Sequence, residues 1–244
     1  MYKEFSSLNY NMRSSQASIK YLIYHYTACD LVTSLKILCD DKSLNPVSAH
    51  YLIDENGDIY QLVQEERRAW HAGKSSWEGH DDINSWSIGI ELINPGHGPA
   101  YRNFPKAQME SLANLSLKII QRHKIEPWHV LGHSDIAPTR KVDPGELFDW
   151  RWLASQGIGI VPSFEKTFAE NYTSLKLLEL LKQYGYGIDH SEENQLQIQA
   201  VLGAFQMHFT PLYITKQPNI ETYHALLSLL KKKNEAFSSR RQVI

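Results

Sequence analysis

Apolar residues fall into two regimes along this chain. From about residue 19 to 160 they form short alternating runs separated by helical stretches. After residue 162 only helical spacing remains. Residues 19–26 are an apolar, aromatic run with strand character, and Leu31, Leu35 and Leu38 then recur at helical spacing behind Asp30, a predicted N-cap. Residues 50–53 and 58–63 flank Asp54-Glu55-Asn56-Gly57, whose Asn-Gly pair predicts a hairpin. Residues 87–94 predict a short buried strand. Pro105 opens a helix with Leu112, Leu115 and Ile119 on one face, and residues 129–131 form a last strand before an irregular loop.

Three helices are predicted in the tail. The first carries a stripe of Leu175, Leu178 and Leu181 and stops at Gly185. Ser191 caps the second, with Leu196, Val201, Leu202 and Phe205 apolar, and Asn219 caps the third, with Leu226, Leu227 and Leu230. The expected fold is therefore α/β (α+β): a central mixed β-sheet flanked by helices over 1–162, a linker at 163–172, and a small three-helix domain over 173–244.

Composition narrows the classes. The chain has 244 residues, 42% of them hydrophobic, which is ordinary globular usage, and its formal net charge of -2 argues against a nucleic-acid binder that relies on bulk positive charge. No apolar run reaches the roughly 18 residues of a membrane span. The first fifteen residues have no apolar core of signal-peptide length. Cys29 and Cys39 lie at either end of a predicted helix, about 15 Å apart along its axis, so two free thiols are expected.

Eleven histidines invite a search for metal ligands. His25 ends a strand in which Tyr21, Ile23 and His25 share a face. His129 and His133 have helical spacing, but Val130 and Gly132 disfavour a helix there and no Glu follows His129. In extended chain the two are about 13 Å apart, so at most one is a ligand. His133 is better placed, because a loop follows it. In that loop Pro144 biases Asp143 towards extended backbone, which lets Lys141 and Asp143 point to one side. Glu91 sits in the apolar segment Ser87-Ile-Gly-Ile-Glu91-Leu, where an unpartnered carboxylate is unusual.

Five segments, in order and spacing, resemble the amidase-2 family. They are Tyr24-His25-Tyr26-Thr27-Ala28, Ser48-Ala49-His50-Tyr51-Leu52-Ile53, Trp70-His71-Ala72-Gly73, Ser87-Ile88-Gly89-Ile90-Glu91, and Gly132-His133-Ser134-Asp135-Ile136-Ala137-Pro138 through Asp143-Pro144-Gly145. The resemblance covers about 19–162. The tail, with Tyr184-Gly185-Tyr186 and Ala204-Phe205-Gln206-Met207-His208-Phe209, resembles the C-terminal peptidoglycan-binding-like domain of one type within that family.

The resemblance implies hydrolysis of the amide between N-acetylmuramic acid and L-alanine. It implies one Zn2+ per chain on His25, His133 and Asp143, Glu91 as catalytic carboxylate, and Lys141 assisting. His50, Tyr51, His71, Trp77, Asn94 and Arg140 are weaker candidates for substrate contact, with Trp70 and Arg68 beside them. The implied partner is peptidoglycan or a muropeptide, met by a monomer with no nucleic acid and no transmembrane segment. The implied location is the periplasm or cell envelope, with a targeting segment beyond this chain; the cytoplasm is the alternative.

Two other readings stay open at this point. A non-catalytic peptidoglycan-recognition module shares the resemblance, although it often lacks a zinc ligand that is present here. A serine or cysteine hydrolase lacks its Gly-x-Ser-x-Gly elbow in this sequence.

Overall fold

A computed structural model describes residues 2–163, 172–188 and 195–241. Its main sheet has six strands in the order β1-β5-β4-β7-β3-β8. They span β1 Lys3–Glu4, β3 Tyr21–Tyr26, β4 Tyr51–Ile53, β5 Ile59–Gln61, β7 Ser87–Leu92 and β8 Val130–Gly132. The sheet is mixed: β4, β7, β3 and β8 run parallel, and β4 pairs antiparallel with β5. A separate pair joins β2 (Tyr10–Met12) to β6 (Arg67–Ala69).

The helices are α1 Leu31–Cys39, α2 Ile83–Trp86, α3 Lys106–His123, α4 His133–Ile136, α5 Trp150–Ser155, α6 Ser174–Tyr184, α7 Gln195–Phe209 and α8 Ile220–Arg241. Asp30 caps α1 by accepting from Thr33 N at 2.8 Å, and Asn219 Oδ1 accepts from Thr222 N at 2.7 Å beside α8. The turn after Asp54 closes as expected: Gly57, at φ +88°, donates its N–H to Asp54 O. A Cβ at Gly57 would lie 2.8 Å from Ala107 O, so this turn needs glycine twice over.

Strand alternation divides the core. Leu22 and Tyr24 of β3, with Ile88, Ile90 and Val130, face α3, whose Leu112, Leu115 and Ile119 are all buried. Each fully buried aliphatic side chain is worth roughly 1.5–3 kcal/mol, so this face alone anchors α3. Tyr21, Ile23 and Leu131 face the other way, into a cluster with Leu177, Leu181, Leu202, Phe205 and Leu226 of α6, α7 and α8. The C-terminal helices thus cover the sheet face on which His25 lies. Cys29 and Cys39 are free thiols.

Several expectations are corrected. The α6 stripe is Leu177, Leu180, Leu181 and Tyr184, while Leu175 is 76% exposed. Leucines at 175, 177, 178, 180 and 181 fit two overlapping stripes, and only the partner surface selects one. The same holds at Leu196 and Leu227, both exposed. The segment after Gly132 begins with the helical turn α4, because Asp135 reaches back to cap Gly132 N and Ala137 N bonds His133 O. Strands β1, β2 and β6 and helices α2 and α5 carry too few residues to show a period. The predicted Ser191 cap and residues 164–171 of the predicted linker lie outside the described residues.

Candidate metal centre

Parallel pairing brings the site together. Register places His25 opposite Glu91 and Tyr24 opposite Gly132, so His133 follows directly on β8 at the same end of the sheet. Paired residues in a parallel ladder point to one side. The site therefore sits at the carboxyl ends of β3, β7 and β8, where α/β sheets commonly bind ligands.

Three buried donors converge there. His25 Nδ1 lies 2.9 Å from His133 Nδ1, and Asp143 Oδ2 lies 3.1 Å from His133 Nδ1 and 3.3 Å from His25 Nδ1. Donors at 2.0–2.1 Å around a tetrahedral zinc lie about 3.3 Å apart, so the three fit three corners of such a site. Among the described residues this is the one group of three His, Cys, Asp or Glu side chains placed to share an ion.

Hydrogen bonds behind the site fix which ring nitrogens are bare. Ser87 Oγ donates to Ile83 O at 2.7 Å, so it accepts from His71 Nε2 at 3.1 Å. His71 Nδ1 then accepts from His25 Nε2 at 3.0 Å, which leaves His25 Nδ1 as a lone pair. His133 Nε2 donates to Ala72 O at 3.2 Å, which leaves His133 Nδ1 as a lone pair as well. Both bare nitrogens face Asp143, the arrangement that a metal with outer-shell support requires. Burial, then the neighbouring His133 ring, pushes His25 down to about 4, so it is neutral near pH 7. Burial opposes ionisation of Asp143, but the His133 and His25 rings hold its carboxyl well below the usual range.

Glycine makes room for this support. A Cβ at Gly89 would come within 2.5–2.7 Å of the His71 ring. At Gly132 it would come within 2.7 Å of Pro144 Cδ. Neither position tolerates a side chain without moving the atoms that aim a ligand.

Glu91 and Lys141 line the same cavity of about 180 Å³ as His71, His133 and Asp143. Glu91 Oε2 is sealed from solvent and has no hydrogen-bond partner among the described residues. Burial first, and the Asp143 charge second, push the Glu91 carboxyl up to about 8, against a smaller opposing effect of Lys141. A lone carboxyl of raised pKa beside a three-donor group is the feature of an acid–base residue.

The remaining candidates lie as follows. His71 lines the cavity and relays His25. His50 is buried: its Nδ1 accepts from Gly89 N and its Nε2 meets Arg67 O. The Tyr51 hydroxyl donates to Glu65, and Trp77, at 0% exposure, packs edge-on against Tyr184 and Tyr186. Asn94 bridges Gly96 N and Arg102 O. The guanidinium of Arg140 is bound to the carbonyls of Ala72 and Lys74, and Arg68 pairs with Asp82. Trp70 lines the cavity, and its Nε1 donates to Asn11. Cys29 has Ser34 Oγ at 3.1 Å and no imidazole partner among the described residues.

Sequence reasoning missed the supporting atoms. Ser87 carries the weak signal of a hydroxyl opening an apolar strand, and the carbonyl of Ala72 carries none. Arg13 binds the carbonyls of Glu65, Asn84, Ser85 and Ser87, which locks the N-terminal segment behind His71.

Residues 15–146 match the N-acetylmuramoyl-L-alanine amidase family, Amidase_2. The chain belongs to that family. It is 39% identical to the N-acetylmuramoyl-L-alanine amidase AmiD of Escherichia coli, across 90% of this chain and 86% of that protein. It is 46% identical to the Haemophilus influenzae 1,6-anhydro-N-acetylmuramyl-L-alanine amidase AmpD, across 45% of this chain and 58% of that protein. The structure superposes on E. coli AmiD in complex with anhydro-N-acetylmuramic acid-L-Ala-D-gamma-Glu-L-Lys with a TM-score of 0.80, covering 90% of this chain and 92% of that one. It matches AmpDh3 of Pseudomonas aeruginosa at a TM-score of 0.79 and 33% identity, over 93% of this chain and 97% of that one. The amidase fold expected from the sequence is thus the fold observed, and matches over 90–93% of the chain extend beyond the catalytic region into the C-terminal helices.

Proposed function

We propose that this amidase hydrolyses the bond between the lactyl carbonyl of N-acetylmuramic acid and the nitrogen of L-alanine, in peptidoglycan or muropeptides. The observation that carries the reading is the convergence of His25 Nδ1, His133 Nδ1 and Asp143 Oδ2 beside the unpartnered Glu91 carboxyl. His25, His133 and Asp143 would hold one zinc ion, whose chemistry when bound is to acidify a water and polarise a carbonyl. Glu91 takes a proton from the water that attacks the lactyl carbonyl. It then returns that proton to the alanine nitrogen as the C–N bond breaks. Lys141 faces the carbonyl oxygen as it gains negative charge. The products are the muramyl sugar acid and a free stem peptide.

The raised pKa of Glu91 fits this shuttle, because the same group must both accept and donate the proton. A recognition module that only binds has no need of such a group. We divide the chain, as its composition does, into a catalytic unit at 1–162 and a three-helix unit at 173–244. Among the described residues no helix is long and apolar enough to cross a membrane. An envelope location is part of the reading, and cell fractionation tests it.

Mass spectrometry of defined muropeptides incubated with the zinc-loaded protein tests the reaction. Release of free stem peptide is expected, together with its loss on chelation and recovery on adding zinc back. Intact muropeptide after incubation with zinc-loaded, folded protein refutes the reading.

A further inference from the structure

Asp135 lies two residues beyond His133 and is 1% exposed. Three donors meet its carboxylate. Gly132 N donates to Oδ2 at 2.8 Å, His208 Nδ1 lies 2.7 Å from the same oxygen, and the Tyr186 hydroxyl donates to Oδ1 at 2.5 Å. A buried carboxylate only accepts, so His208 carries its proton on Nδ1 and donates. Two of these donors belong to the C-terminal region: Tyr186 follows α6, and His208 lies on α7.

Both donors are held rigidly. The His208 ring is stacked between Trp150, with centroids 3.6 Å apart, and Phe209 at 3.8 Å. The Tyr186 ring packs on Trp77 and Phe205. The third donor is the amide of Gly132, the residue directly before His133. His133 is tied on its other side as well, where Ser134 N donates to the backbone carbonyl of Asp143 at 2.8 Å. The Asp135 carboxylate therefore joins the C-terminal helices to the turn that carries His133.

A carboxylate sealed from water is tolerated only when donors satisfy it. Without Tyr186 and His208, Asp135 would keep the Gly132 amide alone. It would then turn towards water and release the Gly132 amide, loosening the backbone that leads into His133. We propose that the C-terminal helices complete the metal site: Tyr186 and His208 are positioning residues that hold Asp135, and through it the Gly132 amide and the backbone that leads into His133. The inference rests on the metal reading of His25, His133 and Asp143, and it does not depend on which substrate is cut.

The test uses the full chain with Tyr186→Phe, His208→Phe and His208→Asn. Phenylalanine keeps each ring and removes the donor, whereas asparagine supplies an N–H where Nδ1 stood. Zinc affinity is measured by competition with a chromophoric chelator, and site geometry by the visible absorption of the cobalt-substituted protein. Unfolding of the metal-free protein is followed in parallel. Each phenylalanine variant is expected to bind zinc about 10–100-fold more weakly, the usual effect of losing outer-shell support. Its cobalt bands should also shift, and His208→Asn should recover most of the affinity.

A lowered Tm with parental zinc affinity and an unshifted cobalt spectrum overturns the proposal, because the cluster is then packing alone. Should His208→Phe fail to fold, Tyr186→Phe decides by the same readouts. If the parent binds zinc, loses it on substitution and still leaves muropeptides intact, the proposed reaction fails and this inference stands. A folded parent that binds neither metal overturns both.

Discussion

Replacing Glu91 by Gln should stabilise the metal-free protein while abolishing cleavage. The Glu91 carboxyl titrates at about 8 in the folded chain against 4.5 as its ordinary value. A raised carboxyl favours the protonated form in the native state. Below pH 4.5 both states are protonated and the group has no effect on stability. Above it the unfolded chain ionises first, so the native state loses ground with each pH unit until the folded group ionises too. At 1.36 kcal/mol per unit, the cost to the parent reaches roughly 3 kcal/mol by pH 7. Gln is isosteric and never ionises, so it escapes this cost.

The assay is urea unfolding of chelator-treated parent and variant at pH 4.5, 6, 7 and 8. The two should agree within error at the lowest pH and diverge steadily above it, the variant being the more stable. Zinc should narrow the gap, since a cation beside Glu91 favours the ionised form of the parent. Cleavage by the variant should fall about 10²–10⁴-fold, the usual worth of general acid–base help. A gap that is absent, or that does not grow with pH, refutes the argument that Glu91 is desolvated and unpartnered. Full cleavage by the variant refutes its proton-transfer role.

Three further outcomes follow from the same geometry. Asp143→Ala removes the only anionic donor of the group, so zinc bound after dialysis, measured by atomic absorption, should drop well below one per chain. Gly89→Ala puts a methyl within 2.7 Å of the His71 ring and should weaken zinc binding about 10–100-fold while the variant still folds, measured by chelator competition. Trp77→Ala empties a buried site between the catalytic unit and Tyr184 and Tyr186, and should cost about 3–5 kcal/mol in denaturant unfolding.

Much of the fold was legible in the sequence because its signals are local. The Asn-Gly turn, the Asp30 cap and the α3 face each depend on residues within one element. The leucine stripe of α6 differs from the expected one because its burial is decided by a surface to which α8 contributes most among the helices, together with Tyr21 and Ile23 of β3. Strands of two or three residues, such as β1 and β2, have no readable period at all. For the site, the five motif segments picked out His25, His133 and Asp143, and the structure brings these three together with Glu91 and Lys141. The aromatics were harder: Tyr51 and Trp77 serve packing and hydrogen bonding, and composition alone does not separate that from a sugar platform.

What the sequence could not show is why these two histidines, among so many, present bare nitrogens to one point. The buried histidines differ in what their second nitrogen meets. His50 spends Nδ1 on Gly89 N and Nε2 on Arg67 O. His71 spends its pair on His25 and Ser87. His129 gives Nε2 to Glu78, and its Nδ1 has no partner among the described residues. His25 and His133 each donate one N–H backwards and turn the other nitrogen towards Asp143. The selection is made by acceptors behind the rings, one of them the backbone carbonyl of Ala72, whose place depends on the fold and on no side chain. In the proposed site, metal binding would thus depend on the outer hydrogen bonds as much as on His25, His133 and Asp143, and substitutions at Ser87 or Gly89 should affect it although neither residue offers a metal a donor atom.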